Sequence, residues 1–236
     1  MKRLIRIFSS LDLSIALIAG VLFLLAVGSF TISEQSGLND GNLSRWLQHA
    51  PLPLSWWLWG GILLLALLVV NTVVCSIDDV SGRLRRVSGV RLLAPHLVHA
   101  GFLLVILAHL LSSLGGEKEG GEVYQGMTVR LPDASLIRFD RIEVTTGPFG
   151  MATDYSASIT HTRAGEETRA IIRPNHPYFA GRYGIYLKHA QGGSPPVAIV
   201  EMHVEPGSHA ALAGAILFTT GTILLLIVRR GKKGLG

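Results

Sequence analysis

The sequence predicts an integral membrane protein of four transmembrane α-helices, with an outward-facing β-rich domain, a sandwich or open barrel, between the third and fourth. Three observations predict it. Of 236 residues, 49% are hydrophobic and only 16% charged, whereas an ordinary soluble domain is about one-quarter charged. Four apolar runs each approach the roughly 20 residues that cross a hydrocarbon core as helix. Between the last two of them the chain changes character, to short segments rich in β-branched and aromatic residues bounded by turn signals.

The runs are Leu13–Phe30, Trp56–Cys75, Leu97–Leu114 (with an interfacial start near Ala94) and Ala210–Val228, and none contains Lys, Arg, Asp or Glu. A water-soluble core helix has no reason to be apolar on every side for that length. They predict helices over about 11–30, 54–76 and 94–114 in a membrane region 1–114, an extracytoplasmic domain over 115–208, and a fourth helix with a basic tail over 209–236. The first run also has the basic start of a secretory signal in Lys2, Arg3 and Arg6. Its apolar stretch exceeds the usual h-region of about 7–15 residues and no small-x-small site follows cleanly, so it reads as an uncleaved span.

Orientation follows from the basic residues. Lys2, Arg3 and Arg6 precede the first span, Arg83, Arg85, Arg86 and Arg91 separate the second from the third, and Arg229, Arg230, Lys232 and Lys233 follow the fourth. The loop between spans one and two holds only Arg45. All three clusters then fall on the cytoplasmic side, with both termini. The net charge of +5 is therefore a topology signal. Segment 115–209 carries nine Lys and Arg against eleven Asp and Glu, a balance of −2, and offers nucleic acid no basic groove.

Residues 31–53 read as a short outer loop with turns at Ser36-Gly37 and Asn39-Asp40-Gly41 and an amphipathic piece, Leu43–His49. Trp46, Trp56, Trp57 and Trp59 gather where the chain re-enters the membrane. They suit an aromatic belt, whose rings are apolar while the indole N–H wants water, or a tetrapyrrole or partner contact. Strands are expected at Met127–Leu131, Ser135–Thr145, Tyr155–Thr162, Thr168–Arg173, Gly184–Ala190 and Val197–Val204, with a hairpin loop at Arg163-Ala164-Gly165-Glu166. Gly147-Pro148, Asn175-His176-Pro177 and Ser194-Pro195-Pro196 interrupt strands elsewhere.

The third span carries the candidate chemistry, in His96, His99 and His109. Ionisable residues at membrane depth are costly and mark function by default. With Pro95 in the first turn, His99 lies roughly 6 Å and His109 roughly 21 Å along the axis, near the inner and outer leaflets respectively, on adjacent faces. Neutral imidazole is a strong axial ligand for haem iron. One helix cannot clamp a haem from both sides, and the other spans hold no histidine apart from His209 at the outer edge of the fourth. A bis-histidine site at His99 thus requires a second protein. The bland alternatives are that His96 bonds a lipid phosphate in the interface and that His109 bonds a neighbouring helix. His96-x-x-His99 makes a poor zinc pair, since no His-Glu-x-x-His pattern or nearby third ligand accompanies it.

Catalytic constellations are missing from the outer segment. His161, His176, His189 and His203 lie on strands or turns without a nucleophile elbow, and read as solvated or half-buried strand residues. There is no Cys-x-x-Cys pair or Cys-x-x-Cys-His attachment site; Cys75 is the sole cysteine, so an intrachain disulfide or thiolate metal cage is impossible.

In order along the chain, Ser10-Leu11-Asp12-Leu13-Ser14-Ile15-Ala16, Asn71-Thr72-Val73-Val74-Cys75-Ser76-Ile77 and His99-Ala100-Gly101 with Leu103–Leu107 resemble the opening, the second-span ending and the third-span histidine motif of the ResB (CcsB) family of System II cytochrome c biogenesis proteins. Asp154–Ile159, Arg173-Pro174-Asn175-His176-Pro177, Gly184-Ile185-Tyr186 and Glu205-Pro206-Gly207 follow that family's order and spacing in the outer domain. The chain departs from the family in being short and in carrying His109 where a small residue is expected.

The resemblance implies a membrane subunit working with a multi-span haem-handling protein of the CcsA/ResC kind that bears a tryptophan-rich motif. Together they would move haem b across the bilayer and present it to apocytochrome c. His99 would be the transmembrane axial ligand to haem iron, its second ligand coming from the partner, with His109 and His96 as further candidates. Such a chain is expected to be an accessory subunit and not itself an enzyme. The competing reading is a haem-b-binding membrane anchor of a respiratory quinone-linked oxidoreductase, which His99 and His109, at two depths, suit. A cofactor-free assembly scaffold is the third.

Overall fold

The structure, a computed structural model, describes residues 7–31, 43–83, 90–148 and 152–233. The expected turns at Ser36-Gly37 and Asn39-Asp40-Gly41, and the basic residues Lys2, Arg3, Arg6, Arg85 and Arg86, lie outside the described residues. In chain order the elements are α1 (Leu11–Thr31), α2 (Leu43–His49), α3 (Leu52–Arg83), α4 (Val90–Gly115), strands β1 to β8 between Glu117 and Val204, and α5 (Ser208–Lys233). Among the described residues four helices, α1, α3, α4 and α5, are long and apolar enough to cross a membrane, with mean hydropathy from 2.1 to 2.5 over their most apolar stretches. The chain divides into a helical unit, which contains all four, and a β-rich unit over Gly115–Pro206.

Helix α4 begins earlier than the proline suggests. Val90 to Ala94 propagate helix well enough to put Pro95 inside it, where the missing N–H leaves the Arg91 carbonyl without its usual partner. Likewise α3 runs past the end of the apolar stretch at Cys75 to Arg83.

Two contrasting contacts build the helical unit. Between α1 and α3 the fastener is polar. Asn71 is 1% exposed; its Nδ2 donates to the carbonyls of Phe8 (2.6 Å) and Ser10 (3.3 Å), while Ser14 Oγ donates to its Oδ1 at 2.6 Å. A buried amide satisfied on both ends fixes register, because sliding the helices would orphan it. Further along the same pair Gly28 lies under the Trp57 ring, and Trp57 Nε1 donates to Leu54 O at 2.9 Å.

Between α4 and α5 the fastener is the absence of side chain. Gly207, Gly214 and Gly221 face Ala108, Gly101 and Ala94, in antiparallel order. Each set repeats every seven residues, which keeps one face of each helix turned to the other. A Cβ at Gly214 would stand 2.9 Å from both Gly101 O and Val105 N, and one at Gly221 2.7 Å from Val98 N. The backbones therefore touch, as small residues allow in membrane helix pairs.

The β-rich unit comprises two four-stranded antiparallel sheets, ordered β1-β8-β7-β6 and β2-β3-β4-β5. The strands are β1 (Glu117–Tyr124), β2 (Thr128–Arg130), β3 (Leu136–Thr146), β4 (Ala152–Arg163), β5 (Glu166–Ile172), β6 (Tyr178–Ala180), β7 (Tyr183–Gln191) and β8 (Val197–Val204). The sheets do not close into a barrel; their inner faces share one core of Phe139, Ile137, Ile159 and Ile172 from one sheet with Ile185, Leu187, Ala198 and Val204 from the other. Each of these side chains larger than alanine contributes about 1.5–3 kcal/mol on burial. The hairpin at Arg163–Glu166 forms as expected, with Ala164 at φ 51° and Gly165 at φ 86°, the two positive angles of a type I′ turn.

Strands β1 and β6 have no counterpart in the sequence reading. Glu117–Tyr124 is charged and glycine-rich, with only Val123 buried; it is a strand because β8 pairs with it along its whole length, from Glu117↔Val204 to Tyr124↔Val197. Tertiary pairing, not propensity, makes it.

Candidate functional site

The helical unit brings the ends of α3 and α4 together around polar groups. Along α3, Thr72, Ser76 and Asp79 follow one another at steps of four and three, so they share a face. His96 and His99, three apart on α4, do the same. Ser76 Oγ lies 2.8 Å from His99 Nδ1 and 2.8 Å from Thr72 O. Asp79 Oδ2 lies 3.8 Å from His96 Nε2, too long for a hydrogen bond and close enough for an ion pair once the ring is protonated. That same His96 nitrogen is buried and makes no hydrogen bond.

His99 is partly buried, and among the described residues only its Nδ1 is engaged in a hydrogen bond. Its Nε2 is thus the ring atom available to a ligand. His109 is exposed on the helical unit, its Nδ1 2.8 Å from Val105 O one turn back on its own helix. A carbonyl only accepts, so that nitrogen carries the proton and the lone pair lies on Nε2. The bond goes to its own helix and not to a neighbour. The three histidines do not converge: His96 turns to Asp79, His99 to Ser76, and His109 stands ten residues, roughly 15 Å, further along. Among the described residues no group of three or more His, Cys, Asp or Glu side chains could hold a metal ion. Of the three, His99 is the one that pairs a partner on another helix at Nδ1 with an Nε2 that could meet a ligand.

Sequence reasoning missed Ser76 and Asp79. The signal was present, since they lie four and seven residues beyond Thr72 where α3 turns from apolar to polar, but nothing in one sequence says which helix that face meets.

In the β-rich unit the histidines scatter. His176 and His189 are exposed, as expected of strand and turn residues. His161 departs from that expectation: it is 7% exposed, on the inner face of β4, with Nδ1 3.1 Å from Tyr178 Oη and Nε2 buried without a partner. His203 lies on the outer face, its Nε2 2.9 Å from a carboxylate oxygen of Glu201, and its ring 4.7 Å from that of Tyr186. Lys118 and Lys188 approach the same carboxylate at 3.3 and 3.4 Å. Burial alone would raise the Glu201 pKa, but His203 and the two ammonium groups outweigh it and hold the carboxyl below its ordinary value. No nucleophile joins these groups. An apolar cleft of about 460 Å³ opens in this unit, lined by Val123, Met127, Val129, Phe139, Ile185 and Val200, with Glu119, Glu122 and Arg130 also on its wall.

Among solved structures, the chain is similar to the one titled Cytochrome c Heme Lyase CcmF, at 17% identity and a TM-score of 0.46, covering 92% of this chain and 34% of that one. The chain thus spans about a third of the length of the solved protein it matches. No protein-family model matches the chain, and no curated protein does. The comparison corrects one expectation. A non-enzymatic accessory role is withdrawn, because the solved protein it resembles is titled a lyase; at this identity and overlap no enzymatic activity is assigned in its place.

Proposed function

We propose that the chain is a haem-handling membrane subunit of cytochrome c maturation, of the ResB/CcsB kind that serves System II. In this reading it lies in the bacterial cytoplasmic membrane with both termini cytoplasmic, following its basic clusters. It works beside a multi-span partner of the CcsA/ResC kind and faces apocytochrome c on the outer side. The observation that carries the reading is His99, a partly buried imidazole in a helix apolar enough to span, held by Ser76 at Nδ1 with Nε2 left for a ligand. The ordered motif set from Ser10 to Gly207 supports the family.

Haem b bound there would supply an iron centre whose absorbance and potential report its axial ligands. His99 would contribute one of them, and Ser76 would hold the ring. His96 lies on the same helix and faces Asp79; in this reading a partner would supply the second ligand. The test is purification from native membrane with an absorbance spectrum. Wild type carries reducible haem with the partner bound, His99→Ala loses most of it, and deletion of the chain stops covalent haem attachment to c-type cytochromes. Normal attachment in the deletion strain overturns the reading.

One observation favours the respiratory alternative. His109 presents a second Nε2 lone pair roughly 15 Å along α4 from His99, which suits two redox centres at two depths. In that case quinol reduces the bound haem, and His109→Ala removes one of two haem signals.

A further inference from the structure

Ser76 has one hydroxyl proton and two neighbours that could take it. Its Oγ lies 2.8 Å from the Thr72 carbonyl oxygen and 2.8 Å from His99 Nδ1. Two oxygens at that distance, the usual O–H···O spacing, need a proton between them, and the carbonyl has none to give. The serine proton therefore points at Thr72. What Ser76 offers His99 is a lone pair, and a lone pair can be met only by an N–H. This puts the imidazole proton on Nδ1. A neutral ring with Nδ1–H keeps its lone pair on Nε2, the form that can ligate a metal through that atom.

We infer that Ser76 is a positioning residue that selects the Nδ1–H tautomer of His99 and so aims an Nε2 lone pair out of the α3–α4 contact. The purpose of that lone pair rests on the haem-ligand reading above; the tautomer itself does not. Metal-ligating histidines are commonly held through their other nitrogen by a carbonyl, carboxylate or water, and those partners weigh heavily on affinity. Here a serine back-bonded to its own helix takes that part. The back-bond matters, because a freely rotating hydroxyl could donate to Nδ1 and would then place the proton on Nε2, where no metal can bind. Thr72 O thus acts through Ser76, and the pair makes a one-way acceptor out of an ambivalent group.

The test uses the full-length protein labelled with ¹⁵N-histidine, in nanodiscs and without haem, at a pH about two units above the ordinary histidine value near 6.5. His99 is assigned by the signal lost in His99→Gln. In wild type its Nδ1 shows the protonated shift and Nε2 the unprotonated one. Ser76→Ala, which removes the acceptor, gives a mixture or the reverse pattern, and Ser76→Thr, which keeps a back-bonding hydroxyl, restores it. The wild-type spectrum decides even if the alanine variant fails to fold: a proton on Nε2 overturns the inference, as does an Ser76→Ala spectrum identical to wild type.

Titration with haemin then separates this inference from the proposed function. Ser76→Ala weakens binding by about 10-fold, within the range of lost partners of metal-bound histidine, and His99→Gln abolishes the same component. If wild type shows Nδ1–H and haemin binding is unaffected by His99→Gln, the ligand reading falls while Ser76 keeps its assignment. If haemin binds through His99 and Ser76→Ala changes neither tautomer nor affinity, the positioning role falls and the ligand reading stands.

Discussion

The helical unit and the β-rich unit are built inside out with respect to each other. In the sandwich the buried side chains are large and apolar, with Phe139, Ile137 and Ile159 all at 2% exposure or less. In the helices the most buried positions are small or polar, Ala94 and Ser55 at 0% and Asn71 at 1%, while Leu22, Leu63, Phe23 and Phe30 stand outward. One half buries what water rejects. The other exposes it and buries instead what hydrocarbon rejects, together with residues too small to gain from burial. The difference teaches that the two halves answer to different solvents, and that the helices are held by close backbone approach and a satisfied amide where hydrophobic burial is not on offer.

Equal deletions should therefore cost unequal amounts. Phe139→Ala removes a fully enclosed ring and is expected to cost about 3–5 kcal/mol of sandwich stability; Leu63→Ala, at a 62% exposed position, should stay within about 0.5 kcal/mol. Hydrogen exchange on the full-length protein in detergent, read separately in β3 and α3, measures both. Comparable losses in the two would break the contrast.

A smaller effect sharpens it from the other side. Gly101→Ala adds one methyl where the Phe218 backbone already lies in contact, and overpacking of that sort costs about 1–3 kcal/mol. The expected result is a lower unfolding temperature and faster exchange in α4 and α5, with β3 and β4 unchanged. A silent substitution would mean the seam is loose.

The smallest effect is acid sensitivity, and it belongs to the sandwich alone. The Thr160 hydroxyl, donating at 2.5 Å, is the largest influence holding the Asp140 carboxyl below its ordinary value, with Arg138 adding to it against burial; Glu201 is lowered too. A carboxylate with a lowered folded value stabilises the fold above its unfolded value near 4 and loses that contribution as pH falls through the lowered one. Exchange in β3, β4 and β8 should therefore quicken below about pH 4. The α4–α5 seam, made of Gly, Ala and Val contacts, should not respond over the same window.

How much of this was legible beforehand follows from what each half is made of. The four spans could be read because hydrocarbon demands a run of apolar residues, and that is a property of sequence alone. Strands β2, β3, β4, β5, β7 and β8 announced themselves by β-branched and aromatic residues, several of them alternating, with boundaries shifted by up to three residues. Strand β1 could not, because Glu117-Lys118-Glu119-Gly120-Gly121 has no strand signal and takes its form from β8. The histidines were visible as anomalies in an apolar helix, yet the groups beside them were not: Ser76 and Asp79 become partners of His99 and His96 only when two helices meet. The haem and second-protein expectations grew from the histidines of one apolar helix, and the kind of partner and the cytochrome from an ordered family resemblance.

The glycine seam carries a consequence of its own. A contact that repeats every seven residues on both sides is a ruler laid against a ruler, and it nearly matches itself after one division. Sliding α5 by seven residues, roughly 10 Å, would set Gly214 over Ala108 and Gly221 over Gly101, keeping two of the three close approaches. The middle of the seam therefore cannot choose its own register. The choice is made at the end, where the Gly207 N–H donates to Ser112 Oγ at 3.3 Å.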